Sequence, residues 1–306
     1  MEKAAFDPGI TQLYTGQLNR AINPDGSFNV RRRGGTWRDV HPYLHLVNLS
    51  WPAFLATLFC GYVLINSLFA TLYYVLGPEQ LSGVDAPTAL GRFLKIFFFS
   101  SQTLSTVGYG AMAPRGNAAN VVASFEALAG VLGFAVATGL LFGRISRPSA
   151  KIGYSANALI APYQDGMSLQ FRVVNRRRND LMELEARVML MTVESREGRA
   201  MRQYKLLKLE REKVLFLPLT WTIVHPIDED SPFRGATPES LAAQQAEIMI
   251  LIKAYDDTFS QTVLSRYSYR HDEFRWRKRF SPAFEVDTEG DLVLDLDRVG
   301  GFQDAG

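Results

Sequence analysis

Polarity along the chain changes in blocks. Residues 1–36 are polar and turn-rich, with Asn23-Pro24-Asp25-Gly26 as a turn and Arg31-Arg32-Arg33-Gly34-Gly35 as a basic, flexible hinge. From Asp39 to Leu49 the apolar residues Val40, Tyr43, Leu44 and Val47 fall at helical intervals, while His41, His45 and Asn48 take other faces. That spacing predicts a short helix in a membrane interface, starting near Asp39 and Pro42 and ending at Ser50-Trp51-Pro52. Trp51–Leu76 then contains no charged residue, and Asn117–Phe142 contains one ionisable group, Glu126. At about 1.5 Å per residue each stretch can cross a hydrocarbon core of about 30 Å. Between them, residues 77–90 read as an external loop. Gly91–Leu104 is too short for a third span and is interrupted by Arg92, Lys95 and Gln102. It predicts a re-entrant helix, whose non-helical continuation is tolerable only where it lines a water-filled path.

Beyond Pro148 the period shifts towards two. Strands are expected over Met167–Val174, Leu184–Val193, Gln203–Leu209, Val214–Val224, Ile248–Tyr255, Thr262–Tyr269 and Leu292–Leu296, separated by turns such as Ser195-Arg196-Glu197-Gly198. Many short, closely spaced strands predict an all-β sandwich. A short helix should start at Thr237-Pro238-Glu239, where Thr can cap and Pro occupies an early position. Residues from about Gly300 are expected to be disordered. The chain therefore divides into a tail (1–36), an interfacial helix (37–50), a transmembrane domain (51–147) and a β-sandwich domain (148–306).

Composition alone hides this division, because 47% hydrophobic content spread over 306 residues resembles a soluble protein. A net charge of +2, with basic residues in short clusters, argues against a nucleic-acid partner. The single cysteine, Cys60, allows neither an internal disulfide nor a zinc site. No apolar run follows Met1, so the first span is expected to act as its own insertion signal. Basic residues flank the spans on one side: Arg31 to Arg33 and Arg38 before the first, Arg144, Arg147 and Lys151 after the second. Both termini are thus expected in the cytoplasm.

The chemistry centres on Thr106-Val107-Gly108-Tyr109-Gly110, which follows the re-entrant helix and precedes Pro114. A Gly-rich turn would look the same in isolation, but a span on each side selects a pore. This pentapeptide is the known potassium-filter motif, in which backbone carbonyls replace the hydration shell of the ion. Gly108 and Gly110 permit the dihedrals that aim successive carbonyls at an axis, and Thr106 can add its hydroxyl. One chain supplies one strand of such a ring, so several copies are required.

With Trp37-Arg38-Asp39, Ser50-Trp51-Pro52, Arg144-Ile145-Ser146-Arg147-Pro148, the run His225–Pro232 and Thr237–Leu241, the chain resembles the inward-rectifier potassium channels, in particular their prokaryotic branch, over about Trp37 to Glu285. The resemblance implies a homotetramer with two transmembrane helices, a pore helix, an interfacial slide helix and an immunoglobulin-like cytoplasmic domain. It implies potassium as the permeant ion and no cofactor. On the second span Phe134, Thr138 and Phe142 share a stripe, with Leu141 and Ile145 adjacent. If that stripe lines the pore, Phe142 matches the gate at the helix crossing. Phe134 stands where strong rectifiers carry a carboxylate, which implies weak block by Mg2+ and polyamines; Glu185 matches a family acid of the cytoplasmic vestibule. Ba2+ is expected to block. Arg38, Arg144, Arg147 and Lys151 match positions for anionic-lipid or phosphoinositide control, although topology alone would also place basic residues there. Gly130, Gly133 and Gly139 suit either a hinge or close helix packing. Gln102 replaces a carboxylate found behind the filter in many relatives, and Ala111 and Met112 stand where eukaryotic relatives carry an Arg. Glu126 is therefore expected to bond to the pore-helix region, either to Gln102 or to a filter backbone group.

Two other functional classes make different demands on the sequence. A potassium transporter subunit needs four pore-loop repeats in one chain, and a single repeat is present. A membrane-tethered binding module, or an enzyme, would carry a cleft or reactive cluster in the β domain. Glu194, Glu197, His225 and His271 are scattered and read as solvated or structural.

Overall fold

The computed structural model describes residues 9–305 apart from Thr15, Gln17, Leu18, Gly35, 37–40, 148, 149 and Glu197. Arg38, Pro148 and Glu197 thus lie outside the described residues. Two compact units result, residues 33–147 and residues 1–32 with 148–306.

The first unit is helical: α1 (Pro42–Asn48), α2 (Trp51–Leu76), α3 (Ala89–Leu104) and α4 (Asn117–Ile145). Ser50 Oγ accepts from the Ala53 amide and Pro52 occupies the first turn, so α2 starts where its sequence signals place it. Along the spans, hydroxyls bond back one turn, Thr57 to the Ala53 carbonyl at 2.8 Å and Thr71 to the Ser67 carbonyl at 2.7 Å. That satisfies polar side chains where water is absent. The most apolar windows of α2 and α4 are only 17% and 11% buried within the protomer, unlike core helices of a soluble domain. The buried remainder joins the three long helices through Ala70, Tyr73, Ile96, Phe99 and Ala119.

The second unit is a sandwich. Its strands are β1 (Ile152–Tyr154), β2 (Ala158–Tyr163), β3 (Gly166–Asn175), β4 (Leu181–Arg196), β5 (Arg199–Leu206), β6 (Lys213–Phe216), β7 (Thr220–Pro226), β8 (Glu247–Asp256), β9 (Gln261–Arg270) and β10 (Phe274–Trp276). One sheet runs β9-β8-β4-β5 with β6 also on β4; the other runs β10-β2-β3-β1 with β7 also on β3. Alternate residues of the facing strands, Leu169, Phe171 and Val173 against Leu184, Ala186, Val188 and Ile250, form one apolar core. The expected strand over Val214–Val224 is in fact two, split at Leu217-Pro218-Leu219, because Pro218 has no amide to donate to a ladder. α5 (Pro238–Ala243) begins on a Thr237 capping box. The disorder expected from Gly300 is not what the structure shows. Phe302–Asp304 pairs with Lys278–Phe280, because Phe302 packs on Leu159, Ala161 and Phe280 and Asp304 meets Lys278.

The tail also differs from its reading as a segment apart. Its described residues form a strap on the sheet face turned away from the sandwich core. Ile22 is buried with Met191, Tyr204 and Met249. Both carboxylate oxygens of buried Glu247 accept from the Ala21 amide at 3.0 Å. Arg20 pairs with Glu273 at 2.9 Å, and buried Arg202 donates to the carbonyls of Leu13 and Gly16 at 2.9 and 3.1 Å. Polar composition hid this, because the docking is made by backbone groups of the strap and charged side chains of the sheet.

Two outcomes test this packing. Glu247→Ala leaves the Ala21 amide without its acceptor and is expected to cost about 1–3 kcal/mol, with faster hydrogen exchange at that amide; unchanged exchange would contradict the strap. His225, whose ring nitrogens meet the Lys208 carbonyl at 2.6 Å and Ser231 Oγ at 2.8 Å, is held below the usual imidazole range by burial. The fold favours its neutral form, so this stabilisation is complete above pH about 6.5 and is lost as pH falls through the lower folded value. Thermal unfolding of His225→Gln should show a flatter acid limb than the wild type.

Candidate functional site

The loop after α3 has an alternating backbone. Thr106, Gly108 and Gly110 take φ values of 61°, 52° and 80°. Alternation of left-handed residues with ordinary ones brings successive carbonyls to one side of the strand. For Gly108 and Gly110 the need is conformational, because an added Cβ would meet nothing within 4 Å. Thr106 is β-branched, and this conformation costs it on the order of 1–3 kcal/mol.

Both ends of the loop are fixed. At its entry the Gln102 carbonyl accepts from the amides of Val107 and Gly108 at 2.9 and 3.2 Å, and the Thr106 amide donates to the Thr103 carbonyl at 3.0 Å. At its exit Leu81-Ser82 pairs with Ala113-Pro114, and Ser82 Oγ bonds the Ala113 amide and carbonyl. A Cβ on Gly83 would lie 2.7 Å from the Ala111 carbonyl, so a glycine lets the outer loop close over this exit. Tyr109 is 77% exposed in the single protomer, its ring uncovered by its own chain.

Behind the loop, the carboxylate of fully buried Glu126 joins three helices. It accepts from Ser100 Oγ of α3 and, at 2.7 Å, from the Tyr73 hydroxyl of α2. Ser100 Oγ also lies 3.1 Å from Asn66 Oδ1, and Asn66 donates to the Tyr62 carbonyl at 2.8 Å. Glu126 does meet α3, but through Ser100 and not through Gln102 or the backbone of the loop, and Tyr73 is an addition. Gln102 acts on the loop through its backbone carbonyl. Asn66 and Tyr73, polar groups in a charge-free span, were the available sequence signal for this network.

The glycines of α4 separate by environment. A Cβ on Gly130 would sit 1.9 Å from the Leu104 carbonyl, and one on Gly143 would sit 2.4 Å from the Tyr43 hydroxyl. Both are close-packing positions. Gly133 and Gly139 face open space. Phe134 and Phe142 are 76% and 70% exposed in the protomer, with Thr138 and Ile145 also exposed. Phe134 shares a cleft of about 670 Å³ with Thr106, Ser105, Gly130 and Tyr62, which puts the base of the loop and the upper end of the stripe on one space.

At the other end of α4, Arg144 is engaged within the helical unit. It donates to the Val47 carbonyl at the end of α1 at 2.8 Å, and its guanidinium lies 4.6 Å from the Trp51 ring centre and 5.1 Å from that of Phe54. Arg147 donates to Asn48 Oδ1 at 2.8 Å from an exposed position, and Lys151 is exposed on the β unit. On the β unit, Glu185 lies between Arg187 at 2.9 Å and Lys213 at 4.0 Å, and Glu194 pairs with Lys205 at 3.5 Å.

Glu126→Ala would strand the Ser100 and Tyr73 hydroxyls. It is expected to cost about 1–3 kcal/mol per hydroxyl, read as a lowered melting temperature of the assembled protein in detergent. An unchanged melting temperature would show that the carboxylate does not brace the helices.

Comparison with known proteins covers both units. Residues 152–303 match the family model of the inward rectifier potassium channel C-terminal domain, and residues 59–147 match that of an ion channel. Inward rectifier potassium channel Kirbac3.1 of Paramagnetospirillum magnetotacticum is 36% identical over 281 residues, covering 90% of this chain and 93% of that protein. G protein-activated inward rectifier potassium channel 3 of Mus musculus is 26% identical, over 94% of this chain and 78% of its own length.

Proposed function

The chain belongs to the inward rectifier potassium channel family, and from that premise we propose that Thr106–Gly110 is its selectivity filter and Phe142 its gate. The protein is a membrane-embedded, tetrameric potassium channel. The observation that carries the filter assignment is the alternation of left-handed φ at 106, 108 and 110, held at one end by the Gln102 carbonyl and at the other by the Ser82–Ala113 ladder. Four such strands around an axis present rings of carbonyls from Thr106, Val107, Gly108 and Tyr109, which replace the water around a potassium ion.

Below the filter, Phe134, Thr138, Phe142 and Ile145 line the cavity. The cleft shared by Phe134 and Thr106 supports that rotation of α4. Four Phe142 rings at the cytoplasmic end then close the path by dewetting. Gly133 and Gly139, where an added Cβ would meet nothing within 4 Å in the protomer, are where α4 can bend, whereas Gly130 is committed to packing.

The position of Arg144 divides the basic cluster. Arg144 links the end of α4 to the α1–α2 corner, so a displacement of α1 would be felt two residues from Phe142. Arg147 and Lys151, with Arg38, are the groups offered to anionic lipid or phosphoinositide headgroups, at about 1 kcal/mol each. Both termini lie on the cytoplasmic side of a bacterial inner membrane, and Glu185 lines the cytoplasmic vestibule. The apolar Phe134 makes block by Mg2+ and polyamines weak. The likeness to channels over both units disfavours a transporter subunit or a tethered binding module.

Rubidium flux into liposomes containing the purified protein tests the reading. Flux should be blocked by Ba2+ and abolished by Gly108→Ala, because a Cβ strains the left-handed backbone by about 1–2 kcal/mol. Phe142→Ala should raise basal flux several-fold. Flux that survives Gly108→Ala in an assembled tetramer would remove the filter assignment, and unchanged flux in Phe142→Ala would remove the gate.

A further inference from the structure

Glycine solves one problem in the Thr106–Gly110 loop and creates another. Gly108 and Gly110 reach φ values of 52° and 80° without strain, but a glycine holds other dihedrals as readily. Something outside the loop must therefore select its conformation. At the entry, the bonds to the Gln102 carbonyl extend as far as the Gly108 amide. The outer half, Tyr109 and Gly110, depends on what fixes the strand that leaves it.

The outer loop that follows α2 grips that strand at successive residues. Gly83 closes on the Ala111 carbonyl, Leu81 pairs with Pro114, and the Gln80 carbonyl accepts from the Arg115 amide at 2.8 Å. The Gln80 side chain fills the place that a Cβ on Gly116 would take. Pro114 has no amide to add to the ladder. The residue before it compensates: Ser82 Oγ accepts from the Ala113 amide at 3.0 Å and donates to the Ala113 carbonyl at 3.1 Å. Among the described residues, Ser82 is the side chain that hydrogen-bonds residues 111–115. By using both roles of its hydroxyl on one residue, it fixes the backbone of Ala113 in position and in orientation. The grip is itself anchored, because Leu81 and Val84 are buried against Tyr73, Ile96, Phe99 and Ala119 of the three long helices. Lys95 of α3 also donates to the Asp85 carbonyl.

We propose that Ser82 is a positioning residue for ion selection, whose hydroxyl keeps the carbonyls at the outer end of the loop directed at the axis. This rests on the reading of Thr106–Gly110 as the selectivity filter. A ring whose outer carbonyls turn aside no longer replaces the hydration shell of K+, and its preference over Na+ falls. A K+ ion bound in the ring favours the directed conformation by mass action. High outer K+ therefore compensates for a missing clamp.

The test is the reversal potential of the full-length channel in planar bilayers, with Na+ and little K+ on the outer side. Ser82→Ala should lower the K+/Na+ permeability ratio on the order of tenfold, and raising outer K+ should restore it. Ser82→Thr keeps a hydroxyl with both roles and should keep the ratio. So that lost assembly is not mistaken for lost selection, Ser82→Cys with Ala113→Cys is made in a Cys60→Ser background. These two positions face each other across an antiparallel pair, within the reach of a disulfide. The bond formed with diamide should hold the wild-type ratio, and its reduction by dithiothreitol should lower the ratio in the same tetramers. An unchanged ratio in Ser82→Ala, or equal ratios in the oxidised and reduced double variant, would overturn the proposal. Gly108→Ala, measured alongside, separates this from the filter reading. If Gly108→Ala loses K+ current while every Ser82 variant keeps its ratio, the proposal alone falls; wild-type current and ratio in Gly108→Ala would remove the filter and the proposal with it.

Discussion

Glu126 is the one charged group in either span, and the helical unit is arranged around satisfying it. A carboxylate in a span is costly unless protein groups replace water around it. Here the hydroxyls of Ser100 and Tyr73 do so, and because they belong to α3 and α2, satisfying the acid draws three helices together. Ser100 lies two residues before Gln102, whose carbonyl receives the Val107 and Gly108 amides. The loop therefore inherits its position from a helix that Glu126 holds. A β-branched residue at φ 61° is tolerated at Thr106 because both ends of its loop are fixed independently.

The cytoplasmic end of the same unit is held by different chemistry. Arg144 stacks on Trp51 and Phe54 and bonds the last turn of α1, while Gly143 lets the Tyr43 hydroxyl approach α4 closely. Such contacts tie the end of α4 to α1 and leave the middle of α4 unconstrained. The two ends of α4 are therefore held by different partners, α2 and α3 at one end and α1 at the other. The strap that precedes α1 in the chain is itself bound to the β unit through Glu247, Arg20 and Arg202.

Much of this was legible because it is periodic or local. Long apolar runs, period-two alternation and capping residues specify the spans, the long strands and α5 without tertiary information. The pentapeptide Thr106–Gly110 is legible because its glycines answer a backbone need. What escaped depends on contacts between distant residues. The polar composition of residues 1–36 reads as a tail, yet Arg20 within it and Arg202 on the sheet are docking groups. Arg144 reads as a headgroup ligand from its place after a span, and only the fold shows the two aromatic rings beside it. The partner of Glu126 escaped because Ser100 is an unremarkable residue for an apolar helix. The C-terminal strand escaped because its pairing depends on a packed Phe302.

Selection and block are separable in this architecture, for a chemical reason. The filter works through backbone carbonyls, which every residue carries, so its ion preference depends on dihedrals and on the scaffold behind them. Attraction of blocking cations works through side-chain charge, which a single substitution can reverse. In this chain the left-handed residues of the loop, the Gln102 carbonyl beside them and the Glu126–Ser100 contact behind it form one connected set. Block can be set by the charge of single side chains. A channel can thus keep its potassium preference while its response to blocking cations is adjusted at side chains far from the filter.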